Sequence, residues 1–100
     1  MSVAETVGRL HPETFELRQN HPNPFNPATN IEFVLGRTQL ARLAVYDVLG
    51  REVTVLFDGQ AEAGKLYQFS FDGATQASGI YFYRLESAEK MQIRKMLLNK

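Results

Sequence analysis

The two histidines have the widest range of possible chemistry in this sequence, because imidazole can act as a base or as a metal ligand. His11 lies in a polar stretch, and His21 lies ten residues later within a run of prolines. Cysteine is absent, and neither histidine belongs to a metal-binding motif. Both histidines are therefore predicted to be surface loop residues, and we expect no metal site.

Three aspartates lie beside or near glycines, as aspartates do in calcium-binding loops: Asp47, Asp58 and Asp72. The Asp-x-Asp-x-Asp-Gly pattern of such a loop is missing, however, and turn formation explains all three positions. No arrangement of a nucleophile, a base and oxyanion donors can be assigned. The sequence therefore predicts a protein that is not an enzyme and needs no cofactor.

Composition restricts the function further. One hundred residues form one domain, large enough to bury a core without disulfides or metals. The 11 basic and 11 acidic residues give zero net charge, which argues against nucleic-acid binding. No apolar run approaches the ~18 residues of a membrane span. Residues 1–14 lack the pattern of an export signal and are predicted to be a flexible linker before a domain at 15–100.

The segment from Gln19 to Pro27, called here the proline segment, contains three of the four prolines. Proline fixes φ and donates no backbone hydrogen bond, so neither a helix nor a central strand can continue through it. We predict a rigid, extended lead-in in which Phe25 anchors into the core. Asn23 and Asn26 are expected to hydrogen-bond neighbouring backbone groups. The alternative is a proline-rich linker without a special role.

The elements that follow alternate apolar and polar residues in short stretches, which is typical of strands with one buried face. Asp47 and Gly50 take the first and last positions of a predicted type I turn. No stretch has a convincing helical period. We predict six or seven strands in a small antiparallel β-sandwich. The clearest strands cover residues 31–35, 43–48, 51–57, 67–71, 80–85 and 91–98.

The last strand combines an irregular pattern with basic charge. Met91 and Ile93 have one parity and Met96 and Leu98 the other, so a bulge near residues 94–95 is expected to turn all four inward. The strand and its end also carry an excess of lysine and arginine. The simpler explanation is that these lysines discourage pairing at a sheet edge. The alternative is a terminal signal that a receptor recognises.

Several blocks, in this order and spacing from about residue 15 to the end, resemble the type A C-terminal sorting domain of the type IX secretion system. The same pattern resembles the immunoglobulin-like domain of flagellar hook-capping proteins. The blocks are Gln19-Asn20-x-Pro22-Asn23-Pro24-Phe25-Asn26-Pro27-x-Thr29-x-Ile31-x-Phe33, Val45-Tyr46-Asp47-x-x-Gly50-Arg51-x-Val53-x-x-Leu56, Ala63-Gly64, Phe71-Asp72-Gly73, Ser78-Gly79-x-Tyr81-Phe82-Tyr83-Arg84-Leu85 and Lys95-Met96-Leu97-Leu98.

This resemblance implies an immunoglobulin-like sandwich at the end of a larger secreted protein. Such a domain is non-catalytic, passes through the periplasm to the cell surface or extracellular space, and leads to surface attachment of its covalently linked cargo. Its partners would be an outer-membrane translocon and a sortase-like peptidase, and we expect a monomer. By position, the recognition residues are Lys95, Met96, Leu97, Leu98, Lys100, Gly79 and Tyr81. The structural motif residues are Pro22, Asn23, Pro24, Phe25, Asn26, Pro27, Asp47 and Gly50.

Two other functions are compatible with the same sandwich. The first is an adhesive or carbohydrate-binding module that anchors a secreted hydrolase to the cell surface or to polysaccharide. Its sugar-stacking platform would be the alternating aromatics Tyr67, Phe69, Phe71, Tyr81 and Tyr83, although aromatics at this period usually fill the core. The second is a self-assembling structural subunit of the flagellar-cap type.

Overall fold

A computed structural model describes residues 11–100, and its regular structure consists of strands. The predicted all-β fold is confirmed. The first ten residues of the predicted linker lie outside the described residues. The seven strands are β1 (Phe15–Leu17), β2 (Ala28–Leu35), β3 (Gln39–Tyr46), β4 (Glu52–Ala61), β5 (Tyr67–Asp72), β6 (Gly79–Glu86) and β7 (Met91–Leu98).

The strands form two antiparallel sheets that pack as an immunoglobulin-like sandwich. One sheet has the order β1-β2-β5 and the other has the order β4-β3-β6-β7. The alternation in the sequence corresponds to the two faces of each strand. Ile31, Phe33 and Leu35 all point into the core from β2, and Tyr81, Tyr83 and Leu85 do so from β6. The core therefore lies between the sheets, with β7 at one edge of the larger sheet.

The predicted bulge in β7 is wrong. The β6–β7 pairing continues without a register shift from Glu86↔Met91 to Gly79↔Leu98. Met91 and Ile93 consequently face outward and are 56% and 52% exposed. The irregularities lie instead between β3 and β4, at Leu43/Ala44 and Val45/Tyr46.

The change of phase in β7 has a physical reason. At this end of β7 the inward-facing side chains are those of Gln92 and Arg94, which form hydrogen bonds with β1 instead of packing in the apolar core. The Gln92 side chain accepts a hydrogen bond from the Leu17 amide, and Arg94 Nε donates one to the Leu17 carbonyl. These two side chains satisfy backbone groups of an edge strand that would otherwise lack partners.

The sequence prediction missed β1, because three residues are too few to show a period. This strand is preceded by a turn in which the Thr14 amide donates to the His11 carbonyl. The Gly36 amide then donates to the Thr14 carbonyl at 2.8 Å. A Cβ atom at Gly36 would overlap the His11 carbonyl oxygen, so glycine allows this close approach of two backbone segments.

Replacing Gly36 with alanine should therefore displace the turn before β1 and lower the free energy of unfolding by about 1–3 kcal/mol. Thermal and urea unfolding would measure this change. Gly59→Ala is the matched control, because a Cβ there meets nothing within 4 Å. That control should leave stability unchanged or raise it by up to about 1 kcal/mol. Equal effects of the two substitutions would contradict the packing described for Gly36.

Candidate functional site: the C-terminal strand and the proline segment

The residues of the predicted terminal signal divide between the two faces of β7. Met96 and Leu98 are buried and belong to the core cluster. Lys95 and Leu97 point to the opposite side, the outer face of the four-stranded sheet, together with their cross-strand neighbours on β6. Met96 and Leu98 therefore hold the strand in the fold, whereas Lys95 and Leu97 are exposed to solvent.

The proline segment binds the end of β7 through its backbone. The Phe25 amide donates to the Leu97 carbonyl at 2.9 Å, and the Asn99 amide donates to the Phe25 carbonyl at 3.0 Å. These bonds form an isolated parallel bridge between Phe25 and Leu98. The first and last blocks are thus joined through residues more than 70 positions apart in the sequence.

Asn23 contributes to the same contact, although the sequence analysis expected it to bond nearby backbone. Its Oδ1 accepts a hydrogen bond from the Leu97 amide at 3.0 Å. The local prediction is wrong because the amide of an edge strand needs a partner, and tertiary packing brings Asn23 to it. For Asn26, an exposed residue, the structure shows no side-chain hydrogen bond among the described residues.

The prediction that Phe25 anchors the segment is confirmed. Its side chain is 1% exposed and meets the Phe71 ring edge to face, with 5.9 Å between centroids. The three X-Pro peptide bonds at Pro22, Pro24 and Pro27 are cis. The predicted extended lead-in is wrong: the chain bends at residues 22–24 and 26–27, on both sides of Phe25, and the neighbouring prolines and asparagines are exposed.

Buried polar groups fix the start of the proline segment, and sequence reasoning did not identify them. The Asn20 amide donates to the Tyr83 hydroxyl at 2.8 Å, and that hydroxyl donates to the Arg18 carbonyl at 2.7 Å. The Asn20 side chain donates to Thr29 Oγ1 at 3.1 Å, and Thr29 in turn donates to the Pro22 carbonyl at 2.8 Å. Asn20 and Thr29 are the buried polar residues of the described chain. Asn20, Thr29 and Tyr83 all stand in the blocks that resemble the sorting-domain family, and this is the sequence signal that could have identified them.

Burial raises the pKa of the Tyr83 phenol to about 12, although the Asn20 amide and the Arg94 charge act in the opposite direction. The unfolded chain loses this proton near pH 10. Stability that is fully present below pH 10 should therefore fall as the pH rises towards 12. Tyrosinate absorbance should show one late step that is missing in Tyr83→Phe. A titration in which this substitution removes no late step would contradict the burial.

The Gly79 and Tyr81 motif lies on β6, directly beside β7. Gly79 has a φ of 146°, which side chains rarely adopt, and it pairs with Leu98. Tyr81 is buried, and its hydroxyl donates to the Ala77 carbonyl at 2.6 Å. These two residues therefore shape the strand that supports β7, and they present little side chain to a partner.

The predicted type I turn at Asp47–Gly50 is confirmed, since the Gly50 amide donates to the Asp47 carbonyl at 3.0 Å and neither central residue, Val48 or Leu49, has the positive φ of types II, I′ and II′. Asp47 Oδ1 also accepts from the amides of Leu49 and Arg51. Burial acts to raise the pKa of Asp47, but the hydrogen bonds from Arg51 and Leu49 outweigh it and lower the pKa. Asp47, Gly79 and Tyr81 line one surface groove of about 270 Å³.

The cations of β7 and of the two residues that follow it differ from the other basic residues of the described chain. Among residues 11–100, every other Lys and Arg forms an ion pair with a carboxylate. Arg94 and Lys100 bond only backbone carbonyls, of Leu17 and Ala74. Lys95 makes no side-chain bond to the described residues. Positive charge without a carboxylate partner is thus concentrated at the C-terminal end.

Other chemistry suggested by the sequence finds no support in the described part of the chain. His11 and His21 are exposed, and no group of three possible ligands lies close enough to hold a metal within residues 11–100. No helix in this range has the length and hydrophobicity that a membrane span requires. The alternating aromatics pack into or against the core, as expected, so they form no open platform.

Comparison with known proteins relates this geometry to secretion. No curated protein matches the sequence. A crystal structure of dimeric latent PorU from Porphyromonas gingivalis shares the fold, with a TM-score of 0.62 and 18% sequence identity over 90% of this chain. The chain corresponds to 10% of the length of that protein. Residues 20–99 match the model of the secretion system C-terminal sorting domain. The match includes the proline segment from Asn20 onward, the whole of β7 and Asn99. This chain belongs to the secretion system C-terminal sorting domain family.

Proposed function

We propose that this chain is a non-catalytic module that carries a covalently linked upstream protein through the type IX secretion system to the cell surface. The family match supports targeting of secreted proteins. The observation that carries the finer proposal is the end of β7, where the strand is fixed in the fold while Lys95 and Leu97 remain exposed. A signal on a folded domain needs this combination of rigidity and access.

The proposed sorting signal consists of the exposed half of the C-terminal block. Lys95, Leu97 and Lys100 are displayed and would contact the outer-membrane translocon. Met96 and Leu98 are buried and would act indirectly, by holding the strand in place. Gly79 and Tyr81 have the same supporting task from β6. Electrostatic attraction between the exposed lysines and a negatively charged surface of the translocon would raise the rate of association. This effect would weaken as the salt concentration rises.

We further propose that a sortase-like peptidase separates the cargo from this domain at the N-terminal side of β1. Residues 13 and 14 are held to the fold: Glu13 pairs with Arg37 and Lys90, and the Thr14 carbonyl accepts from Gly36. Cleavage within β1 or in the turn that begins at His11 would break these contacts, so we place the cleavage site before His11. The isolated domain is proposed to be a monomer that binds no nucleic acid.

The test is a reporter enzyme with an export signal at its start and this chain at its end. In a host with the secretion system, most of the reporter should appear at the cell surface or in the medium. In the same host without the translocon, the reporter should accumulate in the periplasm, as should a reporter without this chain. Equal distribution of the fused and unfused reporter in the first host would contradict the proposed function.

A further inference from the structure

The outer face of the four-stranded sheet carries both ion pairs and exposed apolar side chains. Arg42 pairs with Glu52 and Asp58, and Arg84, which lies opposite Ile93, pairs with Glu86. The mainly apolar group beside these pairs, named here the β6–β7 patch, consists of Val48, Ile80, Phe82, Ile93, Lys95 and Leu97.

The members of the β6–β7 patch are contiguous. Ile80 lies opposite Leu97, and Phe82 lies opposite Lys95, in the β6–β7 pairing. Val48 lines one groove with Phe82 and Ile93 and a second groove with Ile80, of about 320 and 270 Å³. Val48 and Ile93 are 63% and 52% exposed, and Ile80 and Leu97 about 40%. A contiguous apolar area of this kind marks an interaction surface rather than scattered exposure.

The charge of the patch limits what can cover it. Lys95 lies on the outer face between Ile93 and Leu97 and has no carboxylate partner among residues 11–100. A two-fold dimer through the patch would bring two copies of this unpaired cation into one interface. A partner protein with apolar side chains at the centre of its surface would bury the apolar residues of the patch. Carboxylates at the rim of that surface would neutralise the charge of Lys95.

The shape of the patch favours a protein over a lipid surface. The turn at Asp47–Gly50 borders both grooves and projects Val48 and Leu49 from the end of the sheet. Side chains of a partner can enter these grooves, whereas a flat bilayer surface cannot follow them.

We infer that the β6–β7 patch is the surface through which the sorting domain docks on an acidic, apolar surface of its secretion partner. This inference rests on the proposed function and extends the sorting signal beyond the C-terminal block, to Ile93 on β7, to β6 and to the turn before β4. The face of the sheet, rather than the edge of β7, is the docking element. The edge is partly occupied, because the proline segment bonds Leu97 and Gln19 bonds the Lys95 carbonyl.

The experiment compares export of the reporter fused to the full chain with Ile93→Ser and Lys95→Glu, singly and together. The double variant should export at least about tenfold less than the unsubstituted chain, with the remainder in the periplasm. The single variant Lys95→Arg keeps the positive charge and should therefore be exported as well as the unsubstituted chain. Leu40→Ser is the matched control, since Leu40 is 72% exposed on the same face at the far end and should export normally. All variants should unfold within about 0.5 kcal/mol of the original chain.

The outcomes separate this inference from the proposed function. If the unsubstituted chain is not exported, the proposed function fails. If it is exported and the double variant is exported equally well, the docking patch is wrong and Lys95 is not part of the sorting signal, but the proposed export function stands. Vesicles of phosphatidylethanolamine and phosphatidylglycerol would be mixed with the purified chain and with the double variant. Binding of the chain but not of the variant would contradict a protein partner and indicate that the patch binds a lipid surface. A dimer of the unsubstituted chain in gel filtration, absent in the double variant, would likewise contradict the inferred partner and indicate that the patch binds a second copy of this chain.

Discussion

Replacing Phe25 with alanine should lower the free energy of unfolding by about 3–5 kcal/mol, the range for removal of a buried phenylalanine ring. The ring is almost completely buried against Phe71, and its backbone amide and carbonyl bond the end of β7. A loss of this size is a large part of the ~5–15 kcal/mol that stabilises a domain. Urea unfolding followed by circular dichroism would measure the loss.

Asn26→Ala is the matched control for Phe25→Ala. Asn26 lies in the same segment but is exposed, so its replacement should change stability by less than about 0.5 kcal/mol. If Phe25→Ala changed stability no more than this control, the proline segment would not be anchored as described.

Removal of residues 96–100 should unfold the domain, and not merely delete a signal. Met96 and Leu98 are buried, and truncation of one such side chain costs about 2–5 kcal/mol. The deletion also leaves Phe25 and Asn23 without their partners at Leu97 and Asn99. Dispersed amide resonances in NMR should therefore collapse to those of an unfolded chain.

Removal of Lys100 alone is the control for this deletion. Its amide and Nζ bond Ser78 and Ala74 at the exposed surface, so the domain should stay folded without it. A folded protein after removal of residues 96–100 would show that the core closes without the end of β7. It follows that lost export in the longer deletion cannot by itself locate the sorting signal.

The period-two pattern was sufficient to predict six of the seven strands, because burial of one face imposes it directly on the sequence. It could not predict β1, whose three residues are too few for a pattern. The wrong prediction for Met91 and Ile93 came from the added assumption that every apolar residue of the strand faces inward, whereas strict alternation holds along β7. Burial there depends on β1, which draws Gln92 and Arg94 inward.

The candidate site was predictable in part. The family blocks indicated which residues matter, and turn chemistry indicated the geometry at Asp47 and Gly50. The bond between Asn23 and Leu97 spans 74 residues and depends on tertiary packing, which no local propensity encodes. The hydrogen bonds of Asn20 with Tyr83 and Thr29 also depend on tertiary packing, so they could not be predicted. Polar residues near prolines are normally predicted to lie in surface loops.

The central claim is that the sorting signal is the exposed half of a C-terminal strand whose other half belongs to the core. The most direct test is export of a reporter fused to the chain with Lys95→Ala, Leu97→Ala and Lys100→Ala together. These substitutions keep Met96, Leu98 and the backbone bonds to the proline segment. We expect a folded domain that leaves the reporter in the periplasm. Export equal to that of the unsubstituted chain, from an equally stable domain, would contradict the claim.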